Sequence, residues 1–305
     1  MSKAYDIVIV GAGTAGLSAA IYAQRSGKSA LVLEELSYGG QIINTPEVAN
    51  YPGIAQISGF DFAQGLYDQA TGLGAVVEFE SVTKIENNAD KKIVTTDSNT
   101  YEAGAVILAT GAKNRPLGMA HEEEWIGSGI SYCATCDGAF FKGKEVAVAG
   151  GGNTALEDAI FLSGYCSKVY LIHRRNELRG EKHLQEALRK KENVEFVLNV
   201  AMKELVGENG LSGVVVTDKE TGADRTINVS GLFIAIGQMP NNGKFSDLVA
   251  IDDAGYIIAG EDCKTNAEGI FAAGDCRTKA VRQLTTAAAD GAVAALAACA
   301  YLEKA

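Results

Sequence analysis

The chain has few basic residues and little proline. Its 305 residues contain 27 Lys and Arg against 38 Asp and Glu, so the formal net charge is -11 at pH 7. Such a surface repels a phosphate backbone, and nucleic acid is therefore not an expected partner. Only 4 Pro stand beside 35 Gly, and 47% of the residues are hydrophobic. This composition is typical of a compact α/β protein with many tight turns and excludes a disordered chain.

Long apolar runs are also missing from the sequence. No uncharged stretch reaches the roughly 18 apolar residues that a membrane helix needs. The alanine-rich segment 286–300 is short and contains Asp290, so we predict a packed helix there. The first residues lack the long apolar region of a signal peptide because Gly11 and Gly13 interrupt them. We therefore expect a cytoplasmic protein that does not bind a membrane.

Cysteine is scarce, with six residues, and only Cys133 and Cys136 lie close together in sequence. This density does not fit a secreted disulfide scaffold. In a reducing compartment, a Cys-x-x-Cys pair is catalytic or metal-binding. A zinc site usually repeats its paired spacing, and the other four cysteines are isolated singles. We therefore favour redox chemistry and predict no metal site.

Two thiols three residues apart can close a small disulfide ring. One thiolate, with its pKa lowered at a helix start, can attack a partner disulfide, and the second thiol can resolve the mixed species. Asp137 directly follows Cys136 and is a candidate proton donor or acceptor for the thiolate that is left when the disulfide opens.

A strand, a glycine turn and a helix are predicted at the start of the chain. Residues 5–10 are rich in β-branched side chains, and the pattern G-x-G-x-x-G follows directly at Gly11, Gly13 and Gly16. The first glycine allows a tight turn, the second lets the backbone approach a pyrophosphate, and the third lets helix and strand pack closely. The alternative is a glycine turn without a ligand.

The same signal recurs at residues 145–155 as a strand followed by G-x-G-x-x-A. In the first unit the next strand ends in Glu34 and Glu35, where an acid accepts hydrogen bonds from an adenosine ribose. In the second unit the corresponding positions are basic: His173, Arg174 and Arg175. Arginines bind a 2′-phosphate, so the second site is predicted to prefer NADPH, with Arg179 completing the cluster. The alternative is a solvated charged face shared with Glu177 and Glu181.

Near the end of the chain, an apolar strand delivers Asp275, and Arg282 and Gln283 follow shortly after it. By position alone Asp275 could cap a helix. Together with the first glycine loop, it instead indicates contact with the ribitol and pyrophosphate of a flavin.

Eight motifs in this order and spacing resemble the low-molecular-weight, NADPH-dependent thioredoxin reductases. They are GAGTAG at 11–16, GGQ at 39–41, ATG at 109–111, CATCDG at 133–138, GGGNTA at 150–155, HRRNELR at 173–179, GIFAAGD at 269–275 and RQ at 282–283. The resemblance covers nearly the whole chain. Gly180, directly after the arginine motif, is one of the few departures from the family pattern.

The resemblance implies an α/β fold with two Rossmann-like domains of the three-layer ββα type. An FAD domain of residues 1–113 and 243–305 would be interrupted by an NADPH domain of residues 114–242, which carries the cysteine pair. It implies FAD at one set of residues: Gly11, Gly13, Ala15, Gly16, Glu34, Glu35, Gly40, Gln41, Asn50, Thr110, Gly111, Gly274, Asp275, Arg282, Gln283 and Leu284. It implies NADPH at a second set: Gly150, Gly152, Asn153, Thr154, His173, Arg174, Arg175 and Arg179.

The activity that the resemblance implies is reduction of the disulfide of thioredoxin or a thioredoxin-like protein by a homodimer. Electrons would pass from NADPH to FAD, then to the Cys133–Cys136 disulfide and then to the partner. Cys136 would face the flavin, and Cys133 would attack the partner. Alternatives are a peroxiredoxin-linked reductase, a ferredoxin-linked flavoprotein and, outside enzymes, a flavin-binding sensor.

Overall fold

The computed structural model of the chain describes residues 3–45, 47–88 and 91–304. Its strands are β1 (Lys3–Val10), β2 (Ala30–Glu34), β3 (Val76–Phe79), β4 (Val82–Asn87), β5 (Lys92–Thr96), β6 (Thr100–Leu108), β7 (Ala112–Asn114), β8 (Ile130–Ser131), β9 (Glu145–Ala149), β10 (Lys168–Ile172), β11 (Val194–Val197), β12 (Val200–Gly207), β13 (Leu211–Asp218), β14 (Asp224–Asn228), β15 (Gly231–Ile234), β16 (Gln238–Pro240) and β17 (Ile270–Ala272).

Its α-helices are α1 (Thr14–Arg25), α2 (Gly59–Gly72), α3 (Ala134–Asp137), α4 (Asn153–Ser163), α5 (Lys182–Arg189) and α6 (Leu284–Leu302). Short 3-10 turns lie at Gly40–Asn44, Gly138–Phe141, Gly243–Phe245 and Gly274–Cys276.

The chain forms two compact units, Met1–Lys113 with Met239–Ala305, and Asn114–Gln238. The second crossing between them, at Gln238–Met239, lies four positions before the boundary at 242–243 that the resemblance implies. Asn242 is fully buried and belongs to the first unit. Its side-chain amide donates to the carbonyls of Gly255 at 2.9 Å and Cys276 at 2.8 Å, and its Oδ1 accepts from the Thr110 hydroxyl at 2.8 Å.

The first unit is built on a sheet in the order β3-β2-β1-β6-β5-β4, and β17 also pairs with β6. β1, β2, β3, β6 and β17 run parallel, whereas β4 and β5 form an antiparallel extension. Because successive side chains of a strand point to opposite faces, Ile7 and Ile9 join an apolar cluster with α1 and α6. Val8 and Val10 join a second cluster that includes Phe245.

The second unit repeats this plan with the parallel sheet β11-β10-β9-β15-β8 and the antiparallel sheet β12-β13-β14. Val146 and Val148 of β9 pack with α4 on one face of the parallel sheet. Ala147 and Ala149 pack with β12, β13 and β14 on the other face. Helix, parallel sheet and antiparallel sheet are thus three layers, and the predicted fold class of two Rossmann-like domains is confirmed.

Helix α6 is longer than the predicted segment 286–300, because a capping box between Gln283 and Thr286 starts it at Leu284. By length and composition alone, its 19 residues could cross a membrane. In the fold it is a packed helix, as predicted: four of its alanines lie in the apolar cluster with α1, and Asp290 is buried against Arg277 and Lys279.

Candidate active site

The first glycine loop joins β1 to α1 and requires glycine at two positions. Gly11 has a φ of +108°, and a Cβ there would lie 2.4 Å from the carbonyl oxygen of Ala109. A Cβ on Gly16 would lie 1.8 Å from the carbonyl oxygen of Gly11. By contrast, no described atom lies within 4 Å of a Cβ built on Gly13, and no side chain caps α1. The start of α1 is therefore open to an anion.

The two predicted acids at the end of β2 differ in their surroundings. Glu34 is partly buried, and its carboxylate accepts the backbone N–H of Ala12 at 2.8 Å and that of Leu36 at 3.1 Å. Glu35 is exposed in the turn after the strand. Of the two, Glu34 is therefore the acid that the fold holds against the glycine loop.

The closing motif lies beside the same loop. A Cβ on Gly274 would lie 2.8 Å from the Cβ of Ala15, so the turn that contains Asp275 touches the start of α1. Asp275 Oδ1 is buried and has no hydrogen-bond partner among the described residues. Burial raises the pKa of Asp275, and the nearby charges of Lys279 and Arg282 oppose that rise. An unpartnered buried acceptor at this position fits a ligand hydroxyl.

Arg282 and Gln283 join this turn to α6. The Arg282 guanidinium lies 4.0 Å from the centre of the Tyr256 ring and donates to the carbonyl of Asp275 at 3.4 Å. Gln283 caps α6, and its Oε1 accepts from the Asn50 amide at 3.2 Å. Leu284 is the first residue of the helix.

Two further segments of the predicted site, 39–41 and 109–111, lie near the loop. Gly39 donates its N–H to the carbonyl of Ala12 at 2.8 Å, and Gly40 lies close to Gly13. Gln41 donates its side-chain amide to the carbonyl of Ala112. The predicted Thr110 and Gly111 directly follow Ala109, the residue against which Gly11 packs.

The second glycine loop joins β9 to α4 with the same geometry. A Cβ on Gly150 would lie 2.4 Å from the carbonyl oxygen of Ala235, and Gly152 is the uncapped residue before the helix. The exposed Asn153 and Thr154 open α4. The Asn153 side chain accepts the N–H of Glu181 at 2.8 Å.

The predicted basic cluster lies beside this loop. His173 is buried and stands so close to Gly151 that a Cβ there would lie 2.4 Å from its ring. Burial lowers the pKa of His173, and the positive charge of Arg179 lowers it further. The backbone N–H groups of Arg179 and Gly180 donate to the carbonyl of Gly151 at 2.7 and 3.0 Å.

This anchoring explains the glycine at 180, because a Cβ there would lie 2.3 Å from the Leu156 side chain. The side chains of Arg174, Arg175 and Arg179 are exposed, and within the described ranges none pairs with Glu177 or Glu181. These exposed guanidinium groups are accessible to a phosphate ligand and equally fit the alternative of a solvated charged face.

Cys133 and Cys136 form a disulfide with an S–S distance of 2.05 Å. Cys133 directly precedes α3, a single helical turn of four residues. The Ser131 hydroxyl accepts the Cys133 N–H at 3.0 Å and donates to Asp137 at 2.6 Å. Burial raises the pKa of the Asp137 carboxyl, and the Ser131 hydrogen bond opposes the rise.

The remaining cysteines, Cys166, Cys263, Cys276 and Cys299, are buried and free. Burial raises the pKa of all four thiols, that of Cys263 to about 12. A thiol that stays protonated is a poor nucleophile, so these residues are core packing groups.

Sequence reasoning missed Glu122, a buried carboxylate upstream of the disulfide. It accepts the N–H groups of Leu117 and Gly118 at 2.8 Å and of Met119 at 3.1 Å, and the Tyr132 hydroxyl at 2.6 Å. It thereby fixes Tyr132, the neighbour of Cys133. Its position within three consecutive glutamates gave no signal, because such runs are usually exposed.

Two glycine loops and a Cys-x-x-Cys disulfide define a class of proteins, which the comparison with known proteins identifies. A family model described as pyridine nucleotide-disulphide oxidoreductase matches residues 5–291, and the chain belongs to that family. It is 42% identical to the thioredoxin reductase of Listeria monocytogenes over 303 residues. This matched region covers 99% of this chain and 95% of the Listeria protein.

Solved structures agree with this assignment. The thioredoxin reductase from Streptococcus pyogenes is similar over 100% of both chains, with a TM-score of 0.94 and 41% identity. That from Giardia duodenalis has a TM-score of 0.92 and 32% identity over 99% of this chain and 100% of its own. Within the family, this chain belongs with the low-molecular-weight thioredoxin reductases. It is an oxidoreductase that uses a flavin and a pyridine nucleotide, and the resemblance seen in the sequence is confirmed.

Proposed function

We propose that the flavin is FAD, that the pyridine nucleotide is NADPH and that the substrate is the disulfide of thioredoxin. The observation that carries the proposal is the Cys133–Cys136 disulfide, formed in the same unit as a nucleotide loop that is followed by His-Arg-Arg. A flavin-binding sensor would have no need of a vicinal dithiol. The other unit provides the acid-terminated loop that suits an adenosine ribose.

FAD fits the first unit because the unit offers complementary groups to each part of the molecule. The uncapped start of α1 suits the diphosphate, and Glu34 suits the adenosine ribose. The orphaned Asp275 Oδ1 suits a ribitol hydroxyl. Gly40 lies close to the same loop, and Gln283 and Leu284 belong to its closing motif, whereas Glu35 is exposed. Bound FAD supplies two-electron transfer between a reduced nicotinamide and a disulfide.

NADPH fits the second unit because three exposed guanidinium groups follow β10, and a bidentate arginine is the preferred partner of a phosphate. The buried His173 supports the loop through its ring and is held mainly neutral by burial. Selection of the 2′-phosphate therefore rests on Arg174, Arg175 and Arg179. A ferredoxin-linked flavoprotein would have no use for this cluster.

The reduced cysteine pair carries out the exchange with the substrate. The Cys133 thiolate attacks one sulfur of the thioredoxin disulfide, and the other sulfur leaves as a thiolate. The Cys136 thiolate then attacks Cys133 Sγ, releases the second substrate thiolate and restores the Cys133–Cys136 disulfide. Two electrons have moved to thioredoxin, and two protons complete its dithiol. Asp137, with its raised pKa, is placed next to Cys136 to hold one of these protons.

We further propose a cytoplasmic homodimer. Val293 and Leu296 are 39% and 51% exposed and lie three residues apart on one face of α6, which suits a second copy of the chain. Four buried free thiols beside one redox pair suit a reducing compartment.

Anaerobic stopped-flow absorbance of the purified protein tests the proposal. NADPH should bleach the visible flavin bands, and oxidised thioredoxin should restore them. A peroxiredoxin-linked redox domain and oxidised ferredoxin serve as alternative partners in parallel reactions. Faster restoration by either alternative, or the absence of flavin from the purified chain, would contradict the proposed function.

A further inference from the structure

A carboxylate on α6 is the centre of a buried polar cluster in the first unit. Asp290 is 6% exposed, Arg277 is 1% exposed and the Lys279 side chain is 5% exposed. Asp290 Oδ1 accepts from Arg277 at 2.8 Å. Oδ2 accepts from Arg277 Nε at 2.9 Å, from Lys279 at 2.8 Å and from the backbone N–H of Gly274 at 2.9 Å. One carboxylate therefore receives four hydrogen bonds.

The contact with Gly274 reaches the turn that presents Asp275. Gly274 adopts a φ of +78°, and a Cβ there would lie 2.8 Å from the Cβ of Ala15. Gly291, the residue after Asp290, also packs on α1, because its Cβ would lie 2.2 Å from the Ala15 carbonyl oxygen. The turn is thus held between the first glycine loop and α6, and Asp290 supplies the polar bond that joins it to the helix.

Charge in the cluster does not balance. Arg277 and Lys279 are two buried cations that bond to one buried carboxylate, and the other acid near Arg277, Glu261, is 95% exposed at 3.6 Å. A cluster that served packing alone would gain from apolar side chains instead. Two members of the cluster also act on Asp275: burial raises its pKa, the charge of Lys279 lowers it and that of Asp290 raises it.

We propose that Asp290 is a positioning residue that fixes the Gly274–Asp275 turn against the first glycine loop and so determines how long the flavin stays bound. The proposal rests on flavin binding at this loop, as proposed above. The cluster could act on the flavin in two ways. If Asp290 positions the turn, its loss weakens flavin binding. If the cluster acts only by attracting the diphosphate, loss of a negative charge strengthens flavin binding.

The test measures the flavin dissociation rate of the holoenzyme by rapid filtration, together with the flavin visible spectrum and the thermal midpoint. Asp290→Asn should release flavin at least about tenfold faster, because it loses charge-assisted hydrogen bonds. The matched control is Lys92→Met. Lys92 is also buried and bonds to the far end of α6, through the Tyr301 hydroxyl at 3.2 Å, and it does not contact the turn.

Arg277→Lys is the milder companion, for use if the Asp290 variant does not fold. It keeps the positive charge and removes the two-point contact, so its release rate should lie between those of the wild type and Asp290→Asn. Slower or unchanged flavin release in both variants would overturn the proposal. It would also be overturned if Lys92→Met released flavin faster in the same proportion to its loss of thermal midpoint as the two variants do. A wild-type protein that holds no flavin would instead overturn the proposed function.

Discussion

The two glycine loops share one backbone design and differ in the residues at the end of the next strand. Gly11 and Gly150 both pack their Cα atoms against a carbonyl of a neighbouring strand, and both precede a helix without a side-chain cap. After the next strand, Glu34 turns its carboxylate back to the first loop, whereas His173 covers the second loop with its ring. On the proposed function, the backbone provides the phosphate site, and the residues at the strand end select the nucleotide.

The helices behind the loops differ as well. α1 packs along α6 and buries most of its residues, which are small. α4 carries Glu157 and Asp158 at the positions where α1 has Ser18 and Ala19, counted from the first glycine of each loop. One helix is thus adapted to a close helix neighbour, and the other tolerates charge.

The largest expected effect is on the disulfide exchange in the second unit, and it should leave flavin binding in the first unit unchanged. Cys133→Ser should lower thioredoxin reduction by at least about 1000-fold, because the attacking thiolate is lost. Flavin content and reduction of the flavin by NADPH should not change. Cys136→Ser should block turnover equally but accumulate a mixed disulfide between Cys133 and the substrate, detectable by mass spectrometry.

Trapping of the substrate by Cys133→Ser through Cys136 would require the two sulfur roles to be exchanged. Substantial turnover by either single variant would contradict electron transfer through the Cys133–Cys136 pair.

The third glycine position distinguishes the two loops sterically. Gly16→Ala should cost at least about 1–3 kcal/mol and release flavin, because the new Cβ meets the Gly11 carbonyl oxygen. The reciprocal Ala155→Gly should cost only about 0.5–1 kcal/mol of helix stability and leave NADPH binding intact. Flavin content and the free energy of unfolding measure both. Normal flavin retention by Gly16→Ala would show that the first loop is not the flavin site.

On the proposed function, the residues at the end of β10 set the choice between NADPH and NADH. Combined Arg174→Ala and Arg175→Ala should reduce the preference for NADPH over NADH by at least about tenfold, which is about 1.4 kcal/mol of lost phosphate binding. Steady-state kcat/KM with each nucleotide measures the preference. Arg189→Ala is the control, since Arg189 stacks on Phe196 at 5.2 Å and lies outside the cluster. An unchanged ratio in the double variant would contradict the assignment of NADPH.

The smallest expected effect concerns Asp158, whose pKa burial raises to about 7, with a further contribution from Glu157. Unfolded, this carboxyl ionises near its ordinary value of 3.8, so the folded protein binds the extra proton between that pH and about 7. Stability is therefore lost as the pH rises through this window. Asp158→Ala should stabilise the protein by about 1–2 kcal/mol at pH 8 and progressively less towards pH 4.

Thermal midpoints at several pH values check this expectation, with Glu157→Ala as the exposed neighbour. A gain that does not depend on pH would mean that the Asp158 carboxyl is not protonated in the fold.

Sequence alone predicted the parts of the site that are local. Strand, glycine turn and helix follow one another within a few residues, so Gly11, Gly16 and Gly150 and the ends of β2 and β10 could be read directly. The start of α6 was placed late because glutamine is not a common N-cap, and its reciprocal bond with Thr286 was not anticipated.

Features that depend on tertiary contacts could not be found in this way. Asp290 stood out only as a charge in an alanine-rich segment, and its cations belong to another loop. Asn242 resembles a linker residue in sequence, yet it is buried by hydrogen bonds to two distant carbonyls. It lies in the first unit.

The pairing of α1 with α6 also has a consequence for biosynthesis. α1 emerges early from the ribosome, but its packing partner begins at Leu284, beyond the whole second unit. At about 5–20 residues per second, the roughly 260 residues between the two helices take about 13–52 s to synthesise. The second unit, a continuous segment, can mature during that interval, so folding in the cell should proceed from the middle of the chain outwards. Flavin capture would then be one of the last steps of maturation.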